Sequence, residues 1–228
     1  MLNNIPPGLR NLLIVIVLFE LARHALPNIG VNFNVLALYY PDSYSFRPWQ
    51  LITHMFSHGG FMHLLFNGLA LFSFGAIMEM KLGTRKFLYL FFISGLGAVL
   101  VHFISVAVVL YNETGSIMPL HQGMYQGPME MANAVFGYGP MVGASGALYG
   151  VLIAFVYYFP NERLVFMFIP YPVKAKILIP ILLALDIIGA TGNFQWDPIA
   201  HFAHLGGAIT GFVLVKFWAW DRINRRWS

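Results

Sequence analysis

Cysteine is absent from the 228 residues. That removes disulfides, thiol catalysis and thiolate metal sites, and it leaves the redox compartment undecided. Charge is scarce: Asp, Glu, Lys and Arg together make up 10% of the chain, against about 25% in soluble domains. No His-Glu-x-x-His zinc signature occurs. Nor is there an internal repeat or a pair of broken helices of the kind that marks many transporters. What fills the chain instead is apolar, with 58% hydrophobic residues and a mean hydropathy of +0.69. This is the composition of a polytopic membrane protein, and residues 1–228 read as a single membrane domain.

Six spans can be drawn, at about 11–28, 60–80, 87–110, 142–159, 176–192 and 199–219, each near the roughly 20 residues that a bilayer core requires. All are expected to be helical, because open strands would leave backbone groups unpaired in lipid. The first span resembles a signal sequence in that Arg10 precedes the apolar run Leu12 to Phe19. However, Glu20, Arg23 and His24 follow, and no small-x-small cleavage site is clear, so it reads as a retained span. Span five carries Asp186, with Pro180 near its start. Charges at such depth face the bundle and are functional candidates by default. For Glu20 and Asp186 the reading adopted is a structural polar contact between helices.

Eleven of the thirteen Lys and Arg residues fall on one side of this topology: Arg10; Lys81, Arg85 and Lys86; Arg163, Lys174 and Lys176; and Lys216, Arg222, Arg225 and Arg226. The other side holds Arg47 alone, and Arg23 lies within span one. By the positive-inside rule both termini are cytoplasmic, and Trp218, Trp220 and Trp227 fit an aromatic belt at that face. Loop one, about 29–59, is long and amphipathic and is expected to lie in the outer interface as short helices. Loop three, about 111–141, is rich in Gly, Pro and Met, and loops two and four are short and basic.

Three stretches carry chemistry. Span two holds His63 and Asn67 as His-x-x-x-Asn, which puts both on one helix face. They serve either as interhelical glue or as two donors suited to one oxygen. His54 and His58 precede them, giving His-x3-His-x4-His. Imidazole suits zinc, but the segment has no carboxylate, so the expectation is no metal, with His54 and His58 interfacial or supporting. Span four opens with Gly143-Ala144-Ser145-Gly146-Ala147-Leu148-Tyr149-Gly150. Gly146 and Gly150 form a G-x-x-x-G packing face. The same glycines would also clear space around a nucleophilic Ser145, and both readings stay open at this point. Span six contains His201, His204, Gly207 and Gly211, the last three on one face. If the glycine faces of spans four and six meet, Ser145 and His204 meet at matching depth. The pair then has the serine–histidine logic of acyl transfer, and His63, Asn67 and the Ser145 backbone N–H can converge on a developing oxyanion. Tyr149 is placed either to stack under His204 or simply to fill the core. No third acid is evident, and Asp197 is read as interfacial.

Taken together, His63-x-x-x-Asn67, Gly143-x-Ser145-Gly146 with Tyr149, and Ala203-His204-x-x-Gly207-x-x-x-Gly211 resemble the rhomboid family of intramembrane serine proteases. The resemblance covers about residues 10–220. It implies an all-α six-helix bundle with an interfacial loop-1 hairpin. It also implies a Ser145–His204 dyad without an aspartate, an oxyanion site at His63 and Asn67, and no cofactor. The implied partners are single-span membrane-protein substrates cut near the outer face, within the lipid bilayer and without nucleic acid; oligomeric state is left open. Glu79-x-x-Leu82-Gly83 looks like the family's end to span two. Some members carry a Trp-Arg pair in loop one where this chain has Arg47-Pro48-Trp49, which leaves the anchoring of that loop unassigned. His201, one turn before His204, is the other candidate base, and the glycine spacing fits His204. The alternative function is a catalytically silent rhomboid-like protein that binds or escorts membrane clients. A bacterial inner membrane is the expected location.

Overall fold

The computed structural model describes residues 5–25, 33–124, 140–166, 169–191 and 198–224. Among them a helix stands at each of the six expected spans. They are α1 (Pro7–Ala25), α3 (Phe61–Leu82), α4 (Thr84–Thr114), α5 (Ser145–Tyr158), α6 (Ala175–Thr191) and α7 (Pro198–Asn224). A four-residue helix, α2 (Gln50–Thr53), lies in loop one. Among the described residues, three helices are long and apolar enough to cross a membrane: α3, α4 and the stretch His201–Asp221 of α7. The other three have visible reasons for falling short. Helix α1 carries Arg10, Glu20 and Arg23, and α5 and α6 have 14 and 17 residues.

The exterior is what a lipid environment selects. On α4, Tyr89, Ile93, Leu96, Leu100, Ile104, Val108 and Tyr111 recur every three or four residues and are all exposed, a continuous apolar stripe. The opposite face, with Phe87, Leu90, Phe91, Ala98 and Val99, is buried. Helices α4, α5 and α7 form the centre of the bundle, and small residues let them approach. A Cβ added to Gly146 would stand 2.5 Å from the Ala98 Cβ, and one added to Gly150 would overlap Ser94. A Cβ on Gly207 would overlap the Gly146 carbonyl, and one on Gly211 would lie 2.5 Å from the Gly150 Cα and carbonyl oxygen. The G-x-x-x-G faces of α5 and α7 therefore do meet, backbone against backbone, as small-residue faces in a membrane allow.

Glu79 ties the ends of three helices together. Its buried carboxylate accepts hydrogen bonds from the Gly8 N–H at 2.8 Å, the Leu9 N–H at 2.6 Å and the Thr84 hydroxyl at 2.7 Å. The first two are N–H groups at the start of α1, which have no partner within their own helix. Gly83, at φ 78°, makes the turn between α3 and α4.

The cationic residues gather at this same end. Lys81 sits over the Tyr158 ring, Lys86 over Trp218 and Lys216 over Tyr157. Loop four, read from the sequence as short and basic, also carries regular structure. Its residues form an antiparallel hairpin of β1 (Arg163–Phe166) and β2 (Ile169–Lys174), registered through Arg163–Lys174, Leu164–Val173 and Phe166–Ile169. The β-branched and aromatic residues there favour a pleated surface.

Loop one holds its shape through Gln50, not through an arginine–tryptophan pair. The buried Gln50 amide oxygen accepts from the Arg47 N–H at 3.0 Å and the Tyr39 N–H at 3.3 Å, and its nitrogen donates to the Ser45 and Val35 carbonyls. The Trp49 indole donates to the Val35 carbonyl and the Arg47 guanidinium to those of Tyr44 and Phe46. Asp42 reaches across to the turn after α4, accepting from the Leu120 and His121 N–H groups. Parts of loops one and three, Asp197 and Trp227 lie outside the described residues.

Two substitutions test this packing. Gly207→Val should separate α5 from α7 and lower the melting temperature in detergent; an unchanged value would remove that contact from the account. Glu79→Ala should cost about 2 kcal/mol or more, since hydrogen bonds to a charged group contribute roughly 1.5–3 kcal/mol, and chemical denaturation in mixed micelles would measure it.

Candidate active site

Ser145 opens α5, and His204 lies in α7 one turn before Gly207. With the two glycine faces in contact, the Ser145 Oγ lies 2.7 Å from the His204 Nε2, a hydrogen-bond distance. The Tyr149 ring lies parallel to the His204 ring, with centroids 4.6 Å apart and an interplanar angle of 20°. One face of the imidazole is thus covered by an aromatic ring, and one edge is engaged by the serine.

Gly143 connects this pair to His63. It adopts φ +118°, a conformation that a side chain strains, and a Cβ there would stand 2.8 Å from the His63 Cε1 and Nε2 and 3.8 Å from the Ser145 Oγ. Gly143 therefore lies between the His63 ring and the serine hydroxyl. Asn67 is buried, and its amide nitrogen donates to the His63 carbonyl one turn back at 2.9 Å. In this arrangement that donor is engaged within α3 rather than with Ser145.

His54 and His58 are held away from the serine. The His54 Nδ1 lies 2.8 Å from the Gln50 carbonyl, and its backbone carbonyl accepts from the Gly143 N–H at 2.9 Å. Burial pushes the His54 imidazole down to about 4, with His102 adding in the same direction. His54 is therefore neutral at physiological pH. His58 is buried; its backbone N–H donates to Glu20, which also accepts from Arg23 at 2.8 Å, and its ring meets His63 edge to face at 5.2 Å.

Asp186, read from the sequence as a structural polar contact between helices, does join two helices, and its partners are both histidines of α7. Asp186 of α6 places its Oδ2 2.7 Å from the His204 Nδ1 and its Oδ1 2.6 Å from the His201 Nδ1. His201 and His204 are one turn apart on α7, so both face α6. The only signal in the sequence was the cost of an acid inside a span. Its partner depends on how α6 is rotated, which the sequence does not specify. Asp186, His201 and His204 offer three ligand atoms within 4.8 Å of one another, a set that metals use. Here each Nδ1 faces its own carboxylate oxygen at hydrogen-bond distance, which accounts for the cluster by hydrogen bonding.

The profile of the Rhomboid domain matches residues 45–220. The chain belongs to the rhomboid family. Among its relatives, Rhomboid protein 1, mitochondrial, of Saccharomyces cerevisiae is 32% identical over 72% of this chain and 40% of its own length. Rhomboid protease GluP of Bacillus subtilis is 30% identical over 72% of this chain and 25% of its own. The human Presenilin-associated rhomboid-like protein, mitochondrial, is 29% identical over 73% of this chain and 37% of its own. This rhomboid thus aligns with well under half of each of these relatives. Relatives named mitochondrial, from yeast, fission yeast, Arabidopsis thaliana and human, overturn the expected bacterial inner membrane. The multi-pass membrane character stands. The distribution of Lys and Arg sorted the loops into two sides, and nothing in it specified an organelle.

Proposed function

We propose that this rhomboid is an intramembrane serine endopeptidase, with residues 1–228 acting as one membrane domain. The observation that carries this is the 2.7 Å contact between the Ser145 Oγ and the His204 Nε2. In the reaction His204 takes the hydroxyl proton as Ser145 attacks the scissile carbonyl carbon. The carbonyl oxygen becomes an oxyanion, received by the Ser145 backbone N–H, His63 and Asn67. Such donors contribute a few kcal/mol each at the transition state. The Asn67 amide nitrogen carries two hydrogens: one is donated to the His63 carbonyl, and the other is the one that would serve the oxyanion. As the intermediate collapses, His204 passes its proton to the leaving amine. A water molecule, deprotonated by His204, then hydrolyses the acyl-enzyme.

The substrates are single-span membrane proteins cut near the face opposite the cationic end, and the location is a mitochondrial membrane. Membrane proteins as substrates fit a site set among helices whose outer faces are apolar. The mitochondrial location follows the named relatives.

Purified protein reconstituted with a single-span substrate tests the reading. Ser145→Ala should abolish cleavage and labelling by a fluorophosphonate while leaving the melting temperature unchanged. Cleavage that persists undiminished in Ser145→Ala would rule out the nucleophile. Wild-type protein that neither cleaves nor labels would instead favour a silent client-binding rhomboid. Asn67→Ala should lower kcat by about tenfold rather than abolish it, since two oxyanion donors remain; steady-state kinetics on the same substrate would measure this.

A further inference from the structure

We propose that Asp186 is a positioning residue for His204, so that α6 supplies the third member of a Ser145–His204–Asp186 relay and His201 fixes the carboxylate from its other side. The inference rests on the protease reading above and departs from the aspartate-free dyad that the family resemblance implies.

The argument starts from donor and acceptor chemistry. An ionised carboxylate can only accept hydrogen bonds. The Asp186 oxygens lie 2.7 Å from the His204 Nδ1 and 2.6 Å from the His201 Nδ1, the short range of charge-assisted bonds. Both Nδ1 atoms therefore carry hydrogen. For His204 this fixes the tautomer, leaving the Nε2 lone pair directed at the Ser145 Oγ. Without the carboxylate, a neutral imidazole is free to carry its hydrogen on Nε2, where it cannot receive the serine proton. During attack the same carboxylate faces the imidazolium that forms.

His201 answers a second requirement. A carboxylate within a span is costly unless its lone pairs are taken up. His204 engages one oxygen and His201 the other, and both lie on the same face of α7. Two anchors also fix the plane of the carboxylate, which one would leave free to rotate. With Tyr149 stacked on its face, the His204 ring is held on a face and on two edges.

Asp186 lies on the half of α6 beyond Pro180. Helix α6 is buried at its base, at Ala175, Leu178 and Ile179, and exposes Ile177, Ile181, Leu185 and Ile188 along its outer face. Pro180 interrupts the hydrogen-bond ladder between the base and the half that carries Asp186. Displacing that half from α7 removes the carboxylate from His204, so the base is oriented only while α6 packs against α7.

The test uses the full chain in proteoliposomes, a single-span substrate, and the rate of Ser145 labelling by a fluorophosphonate. Asp186→Asn should lower kcat and labelling rate by about 100-fold or more, with KM within about threefold of wild type. His201→Gln should lower kcat by no more than about tenfold, because His204 keeps its own oxygen. Asp186→Glu, which retains the carboxylate, should recover part of the loss. A kcat for Asp186→Asn within about threefold of wild type overturns the proposal, as does a change confined to KM. If Asp186→Asn lowers the melting temperature, labelling measured below that temperature decides, and a wild-type rate there overturns the proposal. Activity lost on chelation would assign the three side chains to a metal and overturn it as well. Wild-type protein that does not label would instead defeat the protease reading, and the relay with it.

Discussion

The contact between the glycine faces of α5 and α7 is the constraint on which the site depends. In lipid there is no hydrophobic gain from bringing two apolar helices together, so close van der Waals packing must supply the attraction. Gly146 against Gly207 and Gly150 against Gly211 bring backbone to backbone, with no side chain between them. Ser145 immediately precedes the first of these contacts on α5, and His204 lies one turn before it on α7. Their hydrogen-bond distance is therefore a consequence of helix packing and not of a flexible loop. Helix α4 completes the arrangement from the side, presenting Ser94 and Ala98 to α5, and the Gly97 carbonyl and Val101 to Gly206 of α7. One methyl group at the seam would move the serine and the histidine apart.

Carboxylates, buried at Glu20, Asp42 and Glu79 and half-buried at Asp186, do the complementary work of joining segments distant in sequence. Glu79 gathers the start of α1 and the start of α4. Glu20 holds the backbone at His58, just before α3. Asp42 holds the turn after α4 against loop one, and Asp186 joins α6 to α7. Each is engaged by two or more partners, at least one of them from a segment distant in sequence. A buried carboxylate left without them would cost several kcal/mol, so these residues discriminate against misplaced helices more than they add net stability. Their positions also divide the labour: Glu79 lies at the cationic end, whereas Glu20 and Asp186 lie next to the histidines.

What the sequence revealed follows from periodicity. The six helices lie within a few residues of the apolar runs that predicted them, and the small-residue spacings of 146/150 and 207/211 were enough to bring Ser145 to His204. Features that depend on helix rotation or on loop conformation were not legible. Asp186 is one acid among several until the rotation of α6 is known. The Gln50 bracing of loop one joins a side chain to carbonyls up to fifteen residues away, and no spacing rule announces it. The hairpin at 163–174 is four strand residues facing six, too short for alternation to separate from a basic turn. Asn67 shares a helix face with His63, as the spacing required, yet its amide is engaged by the His63 backbone, a choice made by local hydrogen bonding rather than by period.

On the protease reading, peptide hydrolysis needs water where lipid excludes it, and the length of α5 bears on that need. Fourteen residues span roughly 21 Å, against a hydrocarbon core of about 30 Å. The chain before Ser145 must therefore descend into the membrane as irregular backbone, which is tolerated only where protein or water satisfies its polar groups. Loop one provides them: Met141 pairs with Leu38 in both directions, and the Gly143 N–H donates to the His54 carbonyl. Loop one thus forms a wall beside the start of α5, and the polar side chains His63, Asn67, Ser145, His201 and His204 collect behind it. A short helix alone would leave unpaired backbone facing lipid, and a loop alone would have nothing to enclose. The two together gather polar groups around the point where the serine and the histidine meet.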